Sequence, residues 1–360
     1  MEVKRIRLKN FRNYEDLELS FDSSRNIIIG ENAQGKTNLI EAIYLCAFAR
    51  SFRTQNTQDM IMIGKDRGSV LVEAVSEEIE KEITVILDRS GKKMIKKDQK
   101  VIRRTAELLN NLVVVVFSPE DLRIIKDNPE KRRNFINKEI SQLRPKYYEC
   151  LRNYNEVLKQ KNAVLKDSRG EDPSEMLEIY DLQLEKYGSE IVRFRQAFVT
   201  MLSAQADEIQ QSITGGKEHL EIRYQCSLEE DQFYEGLRRS RERDLYTGHC
   251  GVGPHRDDLD FYINGRDARK YGSQGQQRTI ALALKLAEIR IAQEILGESP
   301  ILLLDDVLSE LDLERQQFLF QEIRNVQLFI TTTEVNQDII SKMPKGIVFK
   351  VSSGCVIKTV

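Results

Sequence analysis

The sequence predicts an α/β protein with a mixed sheet, an N-terminal antiparallel meander and a helical insertion domain. Apolar and polar residues alternate along residues 3–29, as expected of antiparallel strands with one buried face. The same alternation marks three further short segments, at 69–76, 81–88 and 92–97. Helical apolar spacing replaces it from Pro119 to Ile213, up to the break at Gly215-Gly216. We therefore predict two domains, one at 1–118 and 214–360 and a helical insertion at 119–213.

A glycine-rich loop, Gly30–Thr37, follows a short apolar strand at 26–29 and precedes a helix that begins at Asn38. It matches the phosphate-binding pattern G-x-x-x-x-G-K-[ST] in the required strand, loop and helix context. Glycines allow successive backbone N–H groups and a helix N-terminus to face one phosphate. Lys36 is expected to reach the β- and γ-phosphates, and the Thr37 hydroxyl to hold Mg²⁺. The predicted ATP-binding residues are Gly30, Glu31, Asn32, Ala33, Gln34, Gly35, Lys36 and Thr37.

The helical part of the chain starts after an apolar strand, Leu112–Phe117, that ends at Ser118-Pro119. Apolar spacing predicts helices at about 119–126, 130–142, 145–166 and 173–213. The last of these carries its apolar residues on one face, so it should pack against a neighbour rather than serve as a linker.

Strands return in the C-terminal third of the chain. Two are predicted at 221–226 and 259–263, and the second leads into Asn264-Gly265, a strong hairpin signal. A helix is expected from Ser273 to about Leu296. After it we expect a buried strand at 300–306, a helix, a strand at 327–331, a further helix and a final hairpin.

Three C-terminal motifs narrow the class of nucleotide-binding protein. Four apolar residues followed by Asp305 and Asp306 form the Walker B arrangement, in which the first acid faces Mg²⁺ and the second orients or deprotonates the attacking water. Ser273-Gln-Gly-Gln-Gln resembles the signature of ABC ATPases, whose serine, glycine and helix N-terminus bind the γ-phosphate held by the other subunit. Glu310-Leu311-Asp312 is similar to the D-loop at the same interface.

The order of these motifs predicts an ABC-type ATPase head that binds ATP and Mg²⁺ and forms an ATP-dependent homodimer. The predicted residues are Lys36 and Asp306 for catalysis, Thr37 and Asp305 for the metal, and, from the other subunit, Ser273, Gly275 and Gln276. A GTPase is not expected, because Asn137-Lys138 is followed by Glu139-Ile140 and no N-K-x-D motif occurs.

Composition sets wide limits on function. The chain carries 55 Lys+Arg against 57 Asp+Glu, so its formal charge of −2 neither favours nor excludes a polyanionic partner. Five scattered cysteines form no C-x-x-C pair, and we interpret His249, Cys250 and His255 as ordinary residues rather than a zinc site. With no signal peptide and no apolar run of transmembrane length, we expect a cytoplasmic protein without a membrane partner.

Seven segments resemble the RecF family, bacterial recombination-repair ATPases, and together they span the whole chain. They are Leu8–Tyr14, Gly30–Thr37, Phe117–Leu122, Pro129–Arg133, Gly251–Leu259, Ser273–Arg278 and Leu302–Asp312. The resemblance implies an SMC-like ABC head with a short helical insertion in place of a long coiled coil. It also implies ATP-dependent dimerisation on DNA, preference for single-stranded or gapped DNA, and action with RecR and RecO in loading the RecA recombinase. Roles in replication-gap repair and the SOS response belong to the same expectation.

Several positions depart from the family patterns. Ala33 stands where glycine is frequent, which is tolerable if its φ is negative. Asp306 replaces the glutamate usual in ABC motors, and this shorter carboxylate predicts slow, Mg-dependent turnover, which we expect DNA to stimulate. No histidine follows the strand at 327–331 and no glutamine follows Phe117, so Thr332 and Glu120 are the candidates for the two switch positions.

The densest basic stretch runs from Arg89 to Arg104, where Asp98 is the single acid. Cations at this density cannot be neutralised by acids nearby in the sequence. The stretch therefore either contacts DNA phosphates or forms an ordinary solvated face. The candidate DNA-binding residues are Arg89, Lys92, Lys93, Lys96, Lys97, Lys100, Arg103 and Arg104. Lys131–Arg133 and Arg238–Arg243 are weaker candidates, because they lie beside acids on predicted helices.

Two other functions share the ATP-binding motifs. An ABC transporter subunit would couple to a membrane, but its helical subdomain should end just before the signature and it should carry no basic meander. A nucleotide-dependent scaffold would bind ATP without significant turnover, and phosphate release in the presence of DNA separates it from a motor.

Overall fold

The computed structural model describes residues 1–167, 173–323, 325–333 and 346–359. Its strands are, in chain order, β1 Glu2–Phe11, β2 Tyr14–Ser20, β3 Arg25–Ile29, β4 Arg67–Ser76, β5 Ile79–Asp88, β6 Lys93–Lys97, β7 Lys100–Ile102, β8 Val114–Phe117, β9 Leu220–Gln225, β10 Asp258–Ile263, β11 Arg266–Asp267, β12 Ile301–Asp305, β13 Leu328–Thr332, β14 Ile347–Ser352 and β15 Cys355–Thr359. Its α-helices are α1 Lys36–Phe48, α2 Pro129–Leu143, α3 Pro145–Asp167, α4 Ser174–Thr214, α5 Phe233–Thr247, α6 Ala268–Tyr271, α7 Gln274–Leu296 and α8 Leu313–Glu322. None of the helices within these ranges is long and apolar enough to cross a membrane.

The chain divides into two compact units, and the first, Met1–Arg123 with Arg278–Val360, holds two sheets. One sheet is antiparallel, in the order β2-β1-β4-β5-β6-β7. The other has the order β15-β14-β3-β13-β12-β8 and is mixed, because β15 pairs antiparallel while the other neighbours are parallel. The predicted mixed sheet and N-terminal meander are therefore confirmed.

The parallel strands place the two predicted halves of the site at one edge of the mixed sheet. β13 lies between β3 and β12 and is parallel to both, so the carboxyl ends of all three meet at that edge. Residues Ile301–Leu304 are at most 1% exposed, as expected of a strand covered on both faces. The phosphate loop follows Ile29 at the end of β3, and Asp305 is the last residue of β12, so the loop and Asp305 both lie at this edge of the sheet.

The second unit, Ile124–Gln277, combines helices α2–α5 with a small antiparallel sheet in the order β11-β10-β9. Two hydrogen bonds tie β9 to α4: Leu220 N donates to Asp207 Oδ1 at 2.8 Å, and Ile222 N donates to Ser203 Oγ at 2.9 Å. Because this sheet is joined to the long helix, the unit extends beyond residue 213, where the predicted insertion ends.

The segment predicted as a helix at 119–126 does not form an α-helix. A 3₁₀ turn spans Asp121–Arg123 only. Its cause is Ser118, whose N–H and hydroxyl both donate to Asp121 Oδ2, at 2.8 and 2.9 Å, and so favour a local turn. Helix α2 then begins after Asn128, whose side chain caps it, with Pro129 in the first turn. The helix expected before the final hairpin lies outside the described residues.

Candidate nucleotide-binding site

The phosphate loop adopts a conformation that requires its glycines. Gly35 has φ 116, in the left-handed region, immediately before α1. A Cβ at Gly35 would lie 2.6 Å from Asn13 Nδ2, and a Cβ at Gly30 would lie 2.4 Å from Val351 O. The loop therefore makes a close turn into the N-terminus of α1. The first backbone N–H groups of a helix have no partner within it and favour an anion.

Ala33 also lies in the left-handed region, with φ 65. The condition under which alanine was expected to be tolerated, a negative φ, is therefore not met. An L-residue in this region costs about 1–2 kcal/mol, because its Cβ approaches the following carbonyl oxygen. The loop thus contains strain that glycine at this position would relieve.

Lys36 is buried, and the loop itself holds its ammonium group. Nζ donates to Gly30 O at 2.6 Å and to Glu31 O at 2.9 Å. An ammonium group has three donors, so a third N–H can bind a phosphate oxygen. The side chain therefore adds positive charge at the helix end that already favours an anion.

The two halves of the predicted site meet at Asp305. Thr37 Oγ1 and Thr331 Oγ1 each donate to Asp305 Oδ1, both at 2.8 Å. Burial raises the pKa of the Asp305 carboxyl above its usual range, while hydrogen bonds from the two hydroxyls oppose the shift. Thr37 and Asp305, the predicted metal ligands, are therefore in direct contact.

These residues fit a magnesium ion. Hydroxyl and carboxylate oxygens are hard ligands of the kind that Mg²⁺ prefers. Burial disfavours the ionised form of Asp305, and a divalent cation would stabilise that form. Thr37 and Asp305 would hold the ion, which when bound would withdraw charge from phosphate oxygens.

Asp306 follows the last residue of β12 and has a left-handed backbone conformation. Its φ is 54, and its N–H donates to Thr331 Oγ1 at 3.0 Å. Asp305 is consequently buried, whereas Asp306 is only half-buried. A carboxylate that water can reach is suited to orienting a water molecule, as the sequence predicted for Asp306.

Two hairpin turns from opposite ends of the chain hold the phosphate loop. Between β1 and β2, Asn13 Nδ2 donates to Gln34 O at 2.8 Å, and Tyr14 Oη donates to Gly35 O at 3.0 Å. Between β14 and β15, Ser353 N donates to Gln34 Oε1. Sequence reasoning singled out the segment containing Asn13, but no pattern in the final hairpin indicates contact with a loop 319 residues earlier.

A fully buried carboxylate on α1 is shared by two arginines that were not predicted as site residues. Glu41 accepts from Arg12 Nε and Nη2 at 2.8 and 2.6 Å. Arg53 Nη1 lies 3.7 Å from Glu41 Oε2 and donates to Asn38 Oδ1 at 2.8 Å. The available signal was a glutamate inside the apolar run of α1, which requires a cationic partner when buried.

The signature residues begin α7 with reciprocal capping. Ser273 Oγ accepts from Gln276 N at 3.2 Å, and Gln276 Oε1 accepts from Ser273 N at 2.9 Å. Gln276 Nε2 also donates to Glu218 Oε1 at 2.8 Å. Ser273 is therefore exposed at an ordered helix N-terminus, the feature that an anion site needs. Binding of a nucleotide in trans by Ser273, Gly275 and Gln276 stays a prediction.

The D-loop is joined to the helix that carries the signature. Arg278 donates to Glu310 Oε2 at 2.9 Å, and Arg315 Nη2 donates to Thr279 Oγ1 at 2.7 Å. Asp312 caps α8 by accepting from Arg315 N at 2.9 Å. These contacts connect α7 with the start of α8 inside the first unit.

The two switch candidates occupy different environments. The backbone carbonyl of Thr332 accepts from Gly30 N at 3.3 Å, so this residue supports the start of the phosphate loop. Glu120 is exposed in the turn that follows β8. Both switch roles stay predictions.

The basic stretch is split between two faces of the antiparallel sheet. Lys93 and Lys97 lie opposite buried apolar residues of β5, whereas Lys96 lies opposite Thr84. Because side chains alternate along a strand, Lys96 lies on the face opposite Lys93 and Lys97. Lys93 Nζ also donates to Ala49 O at 2.9 Å. The cations of this stretch therefore do not form one continuous stripe, although Arg89, Lys92, Lys100, Arg103 and Arg104 are exposed.

The chain matches the family described as RecF/RecN/SMC N terminal domain over residues 2–355. It is 42% identical over 360 residues to the DNA replication and repair protein RecF of Clostridium perfringens, covering 98% of this chain and 99% of that protein. The protein of the same name from Lachnospira eligens is 41% identical, covering 99% of each chain.

Solved structures are similar over the same length. One, described as the recombination mediator protein RecF-ATPrS in the RecFOR pathway, has a TM-score of 0.92 and 36% identity, covering 99% of this chain and 98% of the other. The corresponding RecF-ATP structure has a TM-score of 0.91 at 36% identity. An Smc head bound to the C-winged helix domain of ScpA shares the fold alone, with a TM-score of 0.57 and 15% identity. The chain therefore belongs to the RecF family, within the SMC-like class of ABC-type ATPases.

Proposed function

We propose that this chain is a DNA-repair ATPase that binds ATP with Mg²⁺ and dimerises around the nucleotide. The contact between Thr37 and Asp305 carries the proposal, because it joins a metal-binding oxygen pair to the helix end that also holds Lys36. Relatives at 36% identity have been solved as RecF-ATP and RecF-ATPrS, which supports ATP as the ligand.

The proposed roles follow from the chemistry of each group. The loop Gly30–Thr37 binds the phosphates through backbone N–H groups, and Lys36 neutralises charge that develops on them. Thr37 and Asp305 hold Mg²⁺. Asp306 orients the attacking water, and its short side chain supports slow turnover.

Dimerisation is proposed to depend on the γ-phosphate. Ser273, Gly275 and Gln276 of one subunit bind the phosphate held by the other, so ATP favours the closed dimer and hydrolysis removes that contact. The capping that orders Ser273 at the start of α7 supports this role, because an anion site needs a fixed helix N-terminus.

The biological setting is proposed from the relatives. They carry the name DNA replication and repair protein RecF, and two solved relatives are assigned to the RecFOR pathway. We extend this to single-stranded or gapped DNA as substrate, DNA-stimulated turnover in the cytoplasm, and action with RecO and RecR to load RecA in replication-gap repair and the SOS response.

Light scattering after size exclusion tests the shared site. Asp306→Asn keeps Lys36 and Asp305, so it should bind ATP, hydrolyse it slowly and double its mass from 41.7 kDa in Mg-ATP, but not in Mg-ADP or without nucleotide. Lys36→Met is the control, because without the ammonium group it should stay monomeric in all three conditions. An Asp306→Asn protein that remains monomeric in saturating Mg-ATP would refute the proposal.

Phosphate release by the wild-type protein, measured with and without DNA, separates a motor from a scaffold. We expect slow release that DNA accelerates. ATP-dependent dimerisation without any release would instead favour the scaffold function.

A further inference from the structure

Two arginines in the second unit lack a carboxylate partner within the described residues. Arg133 Nη1 donates to Asp257 O at 2.8 Å, and Arg256 Nη2 lies 3.4 Å from Cys250 O. Each guanidinium has five N–H donors, so one backbone carbonyl leaves most of them available. Both side chains therefore retain the capacity to bind an anion.

The acids nearest in sequence are already used by other arginines. Asp258 accepts from Arg132 Nε and Nη2 at 2.6 and 2.8 Å. Asp257 is 1% exposed and accepts from Arg195 Nη1 at 3.4 Å. The two aspartates are thus paired with Arg132 and Arg195, and within the described residues neither Arg133 nor Arg256 forms an ion pair with an acid.

Internal contacts order the loop that carries Arg256. Arg195 is buried, and its Nη1 donates to Pro254 O at 2.7 Å. The ring nitrogens of His255 lie 2.9 Å from Tyr154 Oη and 3.0 Å from Cys250 O. A Cβ at Gly253, whose φ is 117, would lie 2.3 Å from Tyr154 Oη, so only glycine fits there. His255 therefore braces the loop, and Arg256 is left at its exposed position.

The guanidiniums of Arg133 and Arg256 lie near the same imidazole, that of His255. Arg256 and Arg133 both lower the pKa of His255, after the larger effect of burial. Arg133 is half-buried, and burial followed by repulsion from Arg195 lowers its own pKa. The remaining acid near it is Glu130, which is exposed on the same helix. An oxyanion at this surface would relieve both effects.

We propose that Arg133 and Arg256 form a site for the phosphodiester groups of DNA, an inference that rests on the proposed function. A guanidinium binds phosphate oxygens through paired N–H groups, so Arg133 on α2 and Arg256 on the ordered loop can both contact the phosphates of a bound strand. The site contacts backbone rather than bases, so it should bind without sequence preference. The phosphates of a nucleotide have the same chemistry, and the test separates the two sources.

The test uses the full-length double variant Arg133→Gln/Arg256→Gln and labelled single-stranded and duplex DNA in a salt series. Loss of two phosphate contacts should weaken binding about tenfold and lower the slope of log K against log salt by roughly 1.4 for single strands and 1.8 for duplex. The control, Arg193→Gln/Arg223→Gln, removes the same charge from exposed arginines that pair with Glu190 and Glu221, and its slope should stay near wild type.

Two further variants guard against a folding artefact. Arg256→Gln alone, at an exposed position, should lower the slope of log K against log salt by about half as much as the double variant does. Arg133→Lys/Arg256→Lys keeps both charges and should keep the wild-type slope.

Three outcomes contradict the proposal in different ways. If the Arg133→Gln/Arg256→Gln variant shows the same slope of log K against log salt as the control variant, the two arginines do not bind DNA phosphates. Loss of affinity for a fluorescent ATP analogue with unchanged DNA binding assigns the arginines to nucleotide phosphates instead. A wild-type protein that binds neither DNA at any salt concentration refutes the proposed function itself, together with this inference.

Discussion

A comparison of Thr37→Val with Thr331→Val should show which hydroxyl binds the metal. Both substitutions keep a branched side chain and remove one hydroxyl that lies 2.8 Å from Asp305 Oδ1. They differ in that the Thr37 hydroxyl is proposed to coordinate Mg²⁺, whereas the Thr331 hydroxyl supports Asp305 from the neighbouring strand.

The structure predicts opposite rank orders for stability and for metal-dependent binding. Each variant loses a hydrogen bond to a carboxylate, worth about 1.5–3 kcal/mol. Thr331→Val should cost about 1 kcal/mol more, because that hydroxyl also accepts from Asp306 N at 3.0 Å. Mutation of a group that only supports a metal ligand lowers metal affinity about tenfold or somewhat more, so loss of the ligand Thr37 should cost about 100-fold.

Calorimetric titration with ATP, in Mg²⁺ and in EDTA, measures the metal dependence, and urea unfolding measures stability. The ratio of the two ATP affinities should approach one in Thr37→Val and stay closer to wild type in Thr331→Val. Equal ratios in the two variants, or a larger loss in Thr331→Val, would refute the assignment of Thr37 as the ligand.

Three further predictions concern stability. Ala33→Gly relieves about 1–2 kcal/mol of backbone strain and loses about 0.5–1 kcal/mol to chain entropy, so calorimetry should show a small gain in stability. Ala49→Gly, where φ is 54 outside the loop, should show the same gain, and a loss of stability in both variants would contradict the strain. Burial lowers the pKa of His255 to about 4, so the stability that the neutral imidazole contributes is fully present above about pH 6.5 and falls by up to about 3 kcal/mol as the pH drops to 4. Urea unfolding of His255→Gln should lack this loss of stability at low pH, and a variant with the pH profile of the wild type would contradict the prediction. Lys161→Met leaves the fully buried Asp244 without the ammonium group 3.6 Å away, and leaves Asp181 with Arg241 alone, which should cost about 3–5 kcal/mol in urea unfolding. A cost below about 1 kcal/mol would show that Lys161 is not needed.

The phosphate loop and the Walker B strand could be predicted because their signals are local. Gly35 is needed for a left-handed turn, and Lys36 and Thr37 follow it at fixed spacing. Asp305 ends an apolar run that suits a strand covered on both faces. Parallel pairing through β13 then brings the two segments to the same edge, a consequence of topology that the strand and helix pattern already indicated.

Other features depend on contacts between distant segments, which no local pattern records. Nothing in the final hairpin indicates that Ser353 N donates to Gln34, and nothing in the loop sequence determines that the φ of Ala33 is positive. The basic stretch is a further case. Its cations are close in sequence, but once β6 pairs with β5, strand alternation places Lys96 on one face and Lys93 and Lys97 on the other.

Pairing of buried charges decides which part of a charged motif is available to a ligand. From the sequence alone, the charged run His255–Asp258 could contact nucleotide or brace the signature loop. In the structure Asp258 accepts from Arg132 on α2, Asp257 accepts from Arg195 on α4, and His255 is hydrogen-bonded on both ring nitrogens. A buried acid must find a partner or remain uncharged, so these residues are committed to the fold before any ligand binds. The surface can therefore bind a phosphate only with the cations that remain after such pairing, and not with every cation of the sequence motif. Here these cations are Arg133 and Arg256.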